Sequence, residues 1–171
     1  MTADLVVVSA GDSATSKTRA LASLAIHLGG GGRLIELSDL PADALLGRRT
    51  DPAVDAAVAA AGGAGVLVLA TPVYRATYTG ALKAFLDRFP ADALARTAVV
   101  LAATAASPAH FLSLDTGGRS VVASLGGWTV PTVVYTTGAE FTDGQPDPAV
   151  RQRLETALAE ARSVAAVLHP T

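Results

Sequence analysis

Between Thr71 and Lys83 the chain reads Thr-Pro-Val-Tyr-Arg-Ala-Thr-Tyr-Thr-Gly-Ala-Leu-Lys. Tyr74 and Tyr78 offer flat rings with polar tips, Arg75 a guanidinium, and the threonines hydroxyls. A purely structural connection needs none of these groups. Together they suit a ligand with a flat face and some anionic or carbonyl character. Pro72 fixes its own φ and stiffens the turn, so the loop has little entropy to lose on binding. A plain edge-capping role for the two tyrosines is the weaker reading.

A second set of chemical residues lies near the start. Ser9-Ala10-Gly11-Asp12-Ser13-Ala14-Thr15-Ser16-Lys17-Thr18 joins an apolar run to an amphipathic segment. A strand, a small-residue loop and a helix N-terminus make an anion site, because unpaired N–H groups and the helix dipole converge there. Ser9, Ser16 and Thr18 add hydroxyls, Gly11 adds room and Lys17 adds charge. Such a cradle suits a phosphate monoester. Gly11 followed by Ser16-Lys17-Thr18 nearly fits a nucleotide P-loop, but Ser16 replaces the second glycine that lets that loop wrap its phosphates. The following core strands end in Thr71-Pro72 and Thr104-Ala105, without an aspartate for magnesium, so nucleotide hydrolysis is disfavoured. Thr104, Ala105 and Ala106 form a third small-residue stretch that leaves space for a flat ring.

Elements that place these loops side by side are legible. Residues 4–9, 65–70 and 97–103 carry unbroken apolar runs, as in parallel strands covered on both faces. Residues 33–37 are a shorter strand nearer the edge, and residues 128–136 a fifth strand that Pro131 marks as bulged or at an edge. Helices are expected after residue 18, ending at Gly29, and over residues 52–61, 79–89, 110–125 and 148–168. Thr79 is the expected N-cap of the third, and Gly117-Gly118 weaken the fourth. Strands alternating with helices predict a doubly wound α/β sandwich, with a parallel five-stranded sheet in the order 2-1-3-4-5. Ligands then sit at the carboxyl ends of the strands, where all three loops lie.

Bulk properties bound the rest. The chain has 171 residues and no internal repeat or linker, which suggests one domain over residues 1–171. Half of the residues are hydrophobic and mean hydropathy is +0.41, as in a packed globular protein. Cysteine is absent, which excludes disulfides and thiolate catalysis. His27, His110 and His169 have no metal-ligand spacing, so no metal is expected. A net charge of −2 without a basic stripe argues against nucleic acid. The absence of an 18-residue apolar run or leader-like start argues against a membrane span and for a cytoplasmic location.

Thr71-Pro72-Val73-Tyr74-Arg75, then Tyr78-Thr79-Gly80-Ala81-Leu82-Lys83 and Leu86-Asp87, resembles the flavin loop of the NAD(P)H-dependent FMN reductases. Within that flavodoxin-like family it is most similar to the alkanesulfonate-type enzymes. The resemblance implies hydride transfer from NAD(P)H to FMN, with the chemistry belonging to the cofactors and no catalytic side chain required. It places the phosphate at Ser9, Gly11, Ser16, Lys17 and Thr18. The ring then lies against Pro72, Val73, Tyr74, Arg75 and Thr79 on one side and Thr104, Ala105 and Ala106 on the other. It also implies a homodimer or homotetramer and a two-component monooxygenase that receives reduced FMN. A flavin-bound quinone or azo-compound reductase and a flavodoxin-like electron carrier share the same fold. The first loop departs from the family's G-S-x-R-x-x-S-x-[ST]: it is one residue shorter, lacks the arginine and has Asp12 where serine is usual. Ala109-His110-Phe111-Leu112-Ser113-Leu114-Asp115 resembles the family's A-H-L-L-x-x-D. Thr116 follows where the sulfonate-type enzymes often carry a tyrosine tied to a helix distortion.

Overall fold

The computed structural model describes residues 4–13 and 15–170; Ala14, in the first loop, lies outside them. In chain order the elements are β1 (Leu5–Ser9), α1 (Lys17–Gly29), β2 (Arg33–Glu36), α2 (Ala42–Leu45), α3 (Pro52–Gly62), β3 (Val66–Tyr74), β4 (Thr77–Tyr78), α4 (Gly80–Leu86), β5 (Ala98–Ala105), α5 (Arg119–Ser124), β6 (Trp128–Thr129), β7 (Val134–Thr137), β8 (Phe141–Thr142), β9 (Gln145–Pro146) and α6 (Pro148–Leu168). The main sheet runs β2-β1-β3-β5, then β6 and β7, which share the fifth position. These strands pair in parallel, and β4 alone adds an antiparallel partner to β3.

Strand side chains alternate between faces, and here both faces are apolar. Val6, Val8, Leu67, Leu69, Val99 and Leu101 pack with α3, α4 and α5. Val7, Val68 and Val100 pack on the other face with Leu21 of α1 and Leu154 of α6. That double coverage explains the unbroken apolar runs. The helix boundaries follow local chemistry. Asp51 accepts from the Ala53 amide at 2.9 Å to cap α3, and Gly30 ends α1 in the left-handed conformation at φ 78°.

Two elements differ from expectation. The fifth strand is split, because Pro131 cannot donate to the ladder. Side chains satisfy the broken stretch instead. Glu160 of α6 accepts from the Thr132 amide at 2.9 Å, and Arg119 donates to the carbonyls of Val130 and Pro131 at 2.8 and 2.7 Å. The helix expected over residues 110–125 is also not continuous. It comprises a 3-10 turn at Pro108–His110, a π turn at Leu114–Gly118, and then α5. The Arg119 amide reaches back five residues to the Leu114 carbonyl. The distortion is therefore present with Thr116 in place of the tyrosine.

Candidate functional site

In-register parallel pairing sets Ser9 beside Ala70, and Pro72 beside Thr104. The loops after β1, β3 and β5 therefore open at one edge of the sheet. A buried hydrogen bond joins two of these segments: Thr18 Oγ1 and Thr104 Oγ1 are 2.6 Å apart. One hydroxyl donates to the other, which leaves a second proton to offer elsewhere.

The first loop is built as a cradle. Ser16 is the N-cap of α1, accepting from the Arg19 amide at 3.1 Å. Its lone pair is used, but its hydroxyl proton remains free for an anion. A Cβ at Gly11 would run into Ser16 Oγ, so only glycine leaves that rotamer intact. Ser9 is fully buried, and its hydroxyl has no partner among the described residues. A buried, unpaired hydroxyl is costly unless a ligand or water completes it. Lys17 points away from the loop: Nζ donates to the Gly138 carbonyl at 3.4 Å and lies 5.7 Å from the centre of the Phe141 ring.

The second loop is a β-hairpin, which its sequence did not announce. Val73 pairs with Tyr78 and Tyr74 with Thr77, leaving Arg75-Ala76 as a two-residue turn. Both turn residues are left-handed, at φ 52° and 64°. This is the primed-turn geometry that matches strand twist, normally supplied by Asn-Gly. Thr71 closes the hairpin's base, its Oγ1 accepting from the Thr79 amide at 3.1 Å. Thr79 caps α4 as expected, with its hydroxyl accepting from the Leu82 amide at 3.3 Å. Its side chain is thus engaged beneath the hairpin, whereas Tyr74 and Arg75 are exposed and Val73 is partly so. Tyr74 Oη donates to Asp12 Oδ2 at 3.0 Å, bridging the first two loops. The Asp12 hydrogen bond, with some burial, raises the Tyr74 pKa above its usual value.

In the third loop Thr104 is buried, Ala105 half-buried and Ala106 exposed. Tyr135 of β7 fixes this loop by donating to the Ser107 carbonyl at 2.5 Å. Burial raises its pKa. The sequence reading missed Tyr135, because its partner lies on another strand's loop. It also missed the Asp12–Tyr74 contact. Phe111 and Leu112 lie exposed nearby in sequence, at 59% and 51%. No group of three or more acidic or histidine residues among the described residues is placed to hold a metal, and no described helix is long and apolar enough to cross a membrane.

The cradle fits an FMN phosphate on two observations: the unpaired Ser9 hydroxyl and the space held open by Gly11. A family model described as NADPH-dependent FMN reductase matches residues 3–142. The NADH-dependent FMN reductase SfnF of Pseudomonas fluorescens is 41% identical over 128 residues, 73% of this chain and 68% of its own. SfnE of Pseudomonas putida, named likewise, is 38% identical over 148 residues, covering 82% and 80%. The crystal structure of an NADH:FMN oxidoreductase, EMOB, in its apo form superposes with a TM-score of 0.86 at 36% identity, covering 99% of this chain and 97% of its own. The strand order, the three converging loops and these matches agree, and the chain belongs to the NADPH-dependent FMN reductase family, flavodoxin-like oxidoreductases that use FMN and NAD(P)H.

Proposed function

We propose that Ser9, Gly11, Ser16 and Thr18 hold the FMN phosphate, while Lys17, turned to Gly138 and Phe141, takes no part. The flavin ring lies between the Pro72-Val73-Tyr74-Arg75 hairpin, anchored by Thr79, and Thr104-Ala105-Ala106. The observation that carries this reading is the fully buried Ser9 hydroxyl, without a partner among the described residues, beside a loop in which glycine at position 11 leaves the Ser16 capping rotamer undisturbed. Bound FMN supplies the capacity to accept a hydride from NAD(P)H. The chain's own residues bind and orient. Ser16 offers a hydroxyl proton to the phosphate, and the first turn of α1 offers N–H groups that have no partner within the helix. The hairpin that follows Pro72 presents backbone amides and the Arg75 charge to the polar edge of the ring.

The resemblance to the alkanesulfonate-type enzymes supports release of reduced FMN to a monooxygenase partner. The exposed Phe111 and Leu112 beside the π turn support assembly into at least a dimer. A cysteine-free chain that draws on nicotinamide nucleotide suits the cytoplasm, and one flavodoxin-like domain over residues 1–171 suffices for the reaction. The test is steady-state oxidation of NADH and NADPH with FMN, FAD and riboflavin compared. FMN-dependent turnover should exceed that with riboflavin. Ser16→Ala should weaken FMN binding by about 1.5–3 kcal/mol, the worth of a hydrogen bond to a charged group, while riboflavin binding changes little. Equal loss for both flavins would remove Ser16 from the phosphate site.

A further inference from the structure

We propose that Asp12, held by Tyr74, is a specificity-determining residue that lowers affinity for the phosphate end of the flavin and so keeps FMN exchangeable. The proposal rests on the assignment of the first loop to the FMN phosphate. Asp12 directly follows Gly11, the residue that keeps the cradle open, and Ser16 caps α1 four positions later. An anion drawn to that helix terminus therefore enters the loop that carries this carboxylate.

The carboxylate has a partner on the second loop. Tyr74 Oη donates to Asp12 Oδ2 at 3.0 Å. Tyr74 stands on a short hairpin whose base is closed by Thr71 and whose register is fixed by the Val73–Tyr78 pair. The bond thus spans two loops that follow adjacent strands, since Ser9 and Ala70 are neighbours in register. Two consequences follow. A negative charge on the phosphate loop opposes the phosphate, and the Tyr74 hydroxyl proton goes to Asp12 rather than to a ligand. The nearest cation in sequence, Lys17, does not offset this, because its Nζ is turned to the Gly138 carbonyl and the Phe141 ring. What remains attractive is the helix terminus and the hydroxyls, which are weaker than a guanidinium clamp. Asp12 is exposed, so its exchange for asparagine leaves the core untouched.

The experiment compares FMN and riboflavin dissociation constants for the wild type, Asp12→Asn and Tyr74→Phe, at low and high salt. Asparagine keeps an oxygen to accept from Tyr74 and removes only the charge. Asp12→Asn should bind FMN about tenfold more tightly, the equivalent of one pK unit of charge interaction, with riboflavin unchanged. The gain should shrink at high salt, where a partly exposed pair is screened. Tyr74→Phe, which keeps the charge but frees it to move, should give a smaller gain than Asp12→Asn. A wild type that binds both flavins alike, with an Asp12→Asn variant that prefers FMN, also supports the proposal. A wild type that prefers FMN, with an Asp12→Asn ratio within twofold of it, overturns the role of Asp12 and leaves the phosphate site standing. Both proteins binding the two flavins alike overturns the two assignments together.

Discussion

Gly11→Ala tests whether the first loop is organised as described, because its effect must run through Ser16. A Cβ at position 11 collides with Ser16 Oγ, while the next neighbours, Ser16 Cβ and Thr18 Cβ, lie at 3.3 and 3.4 Å. The collision is relieved if Ser16 changes rotamer, which gives up its bond from the Arg19 amide. Loss of such a cap costs about 1 kcal/mol. Gly11 is not among the residues with positive φ, so alanine is otherwise tolerated and returns about 0.4–1 kcal/mol by restricting the unfolded chain. The net change in the single variant is therefore small and uninformative. The informative quantity is the coupling in a double-mutant cycle. Ser16→Ala alone should cost about 1 kcal/mol. In that background the oxygen is gone, so Gly11→Ala should be neutral or stabilising. Urea unfolding of all four proteins without flavin should give a coupling energy of about 1 kcal/mol, well above the ~0.3–0.5 kcal/mol scatter of independent sites. Additive effects within that scatter would refute the packing of Gly11 against the capping rotamer.

Two further predictions concern the hairpin and the segment after β7. Ala76→Gly should raise stability by about 0.5–1 kcal/mol, or roughly 1–4 °C by calorimetry, since glycine accepts φ 64° without the Cβ penalty; a lowered melting temperature would contradict the strained turn. Glu140 is pushed up by burial, but the Thr137 amide and the Arg153 guanidinium outweigh this and hold its pKa below the usual 4.5. Its contribution is therefore present above about pH 4.5 and lost as pH falls through the lower native value. Glu140→Gln should cost about 1 kcal/mol at pH 7, with urea midpoints converging on the wild type in acid; a difference that grows on acidification would refute the sign.

The sheet was legible because burial on both faces leaves an unmistakable signature in residues 4–9, 65–70 and 97–103. The Thr79 cap was legible for an equally local reason: its hydroxyl acts on an amide three positions on, and the Asp51 and Gly30 caps act just as locally. The hairpin was hidden because Arg75-Ala76 carries none of the Asn-Gly character that normally marks a primed turn. Its stability comes from Thr71 and Thr79, eight residues apart, and not from the turn. Asp12 was legible as a misplaced charge, but its partner is 62 residues away. The destination of Lys17 depended on Gly138 and Phe141, in a segment with no strong periodicity of its own. Residues meeting across the sheet edge obey pairing register, which no local pattern encodes.

The π turn is the case in which local sequence pointed to the wrong cause. The sequence suggests a helix over residues 110–125, weakened by Gly117-Gly118, with Thr116 where a tyrosine is often found. Yet Leu114, Gly118 and Val122 are all buried, at intervals of four. At 3.6 residues per turn an α-helix drifts by about 80° over those eight residues and would swing one end off the sheet. A turn closed by an i→i+5 bond winds more slowly and keeps them on one face. The glycines allow that close seat: a Cβ at Gly118 would lie 3.1 Å from Leu101 Cδ1, and one at Gly117 3.2 Å from Tyr78 Cε1. Thr116 takes no part in this contact, since its hydroxyl turns back to the Leu112 carbonyl at 3.1 Å. Packing against the sheet and against Tyr78 therefore produces the distortion. Tyr78 also pairs with Val73 in the β3–β4 hairpin. The hairpin and the segment that exposes Phe111 and Leu112 thus rest on one shared contact, between Gly117 and Tyr78.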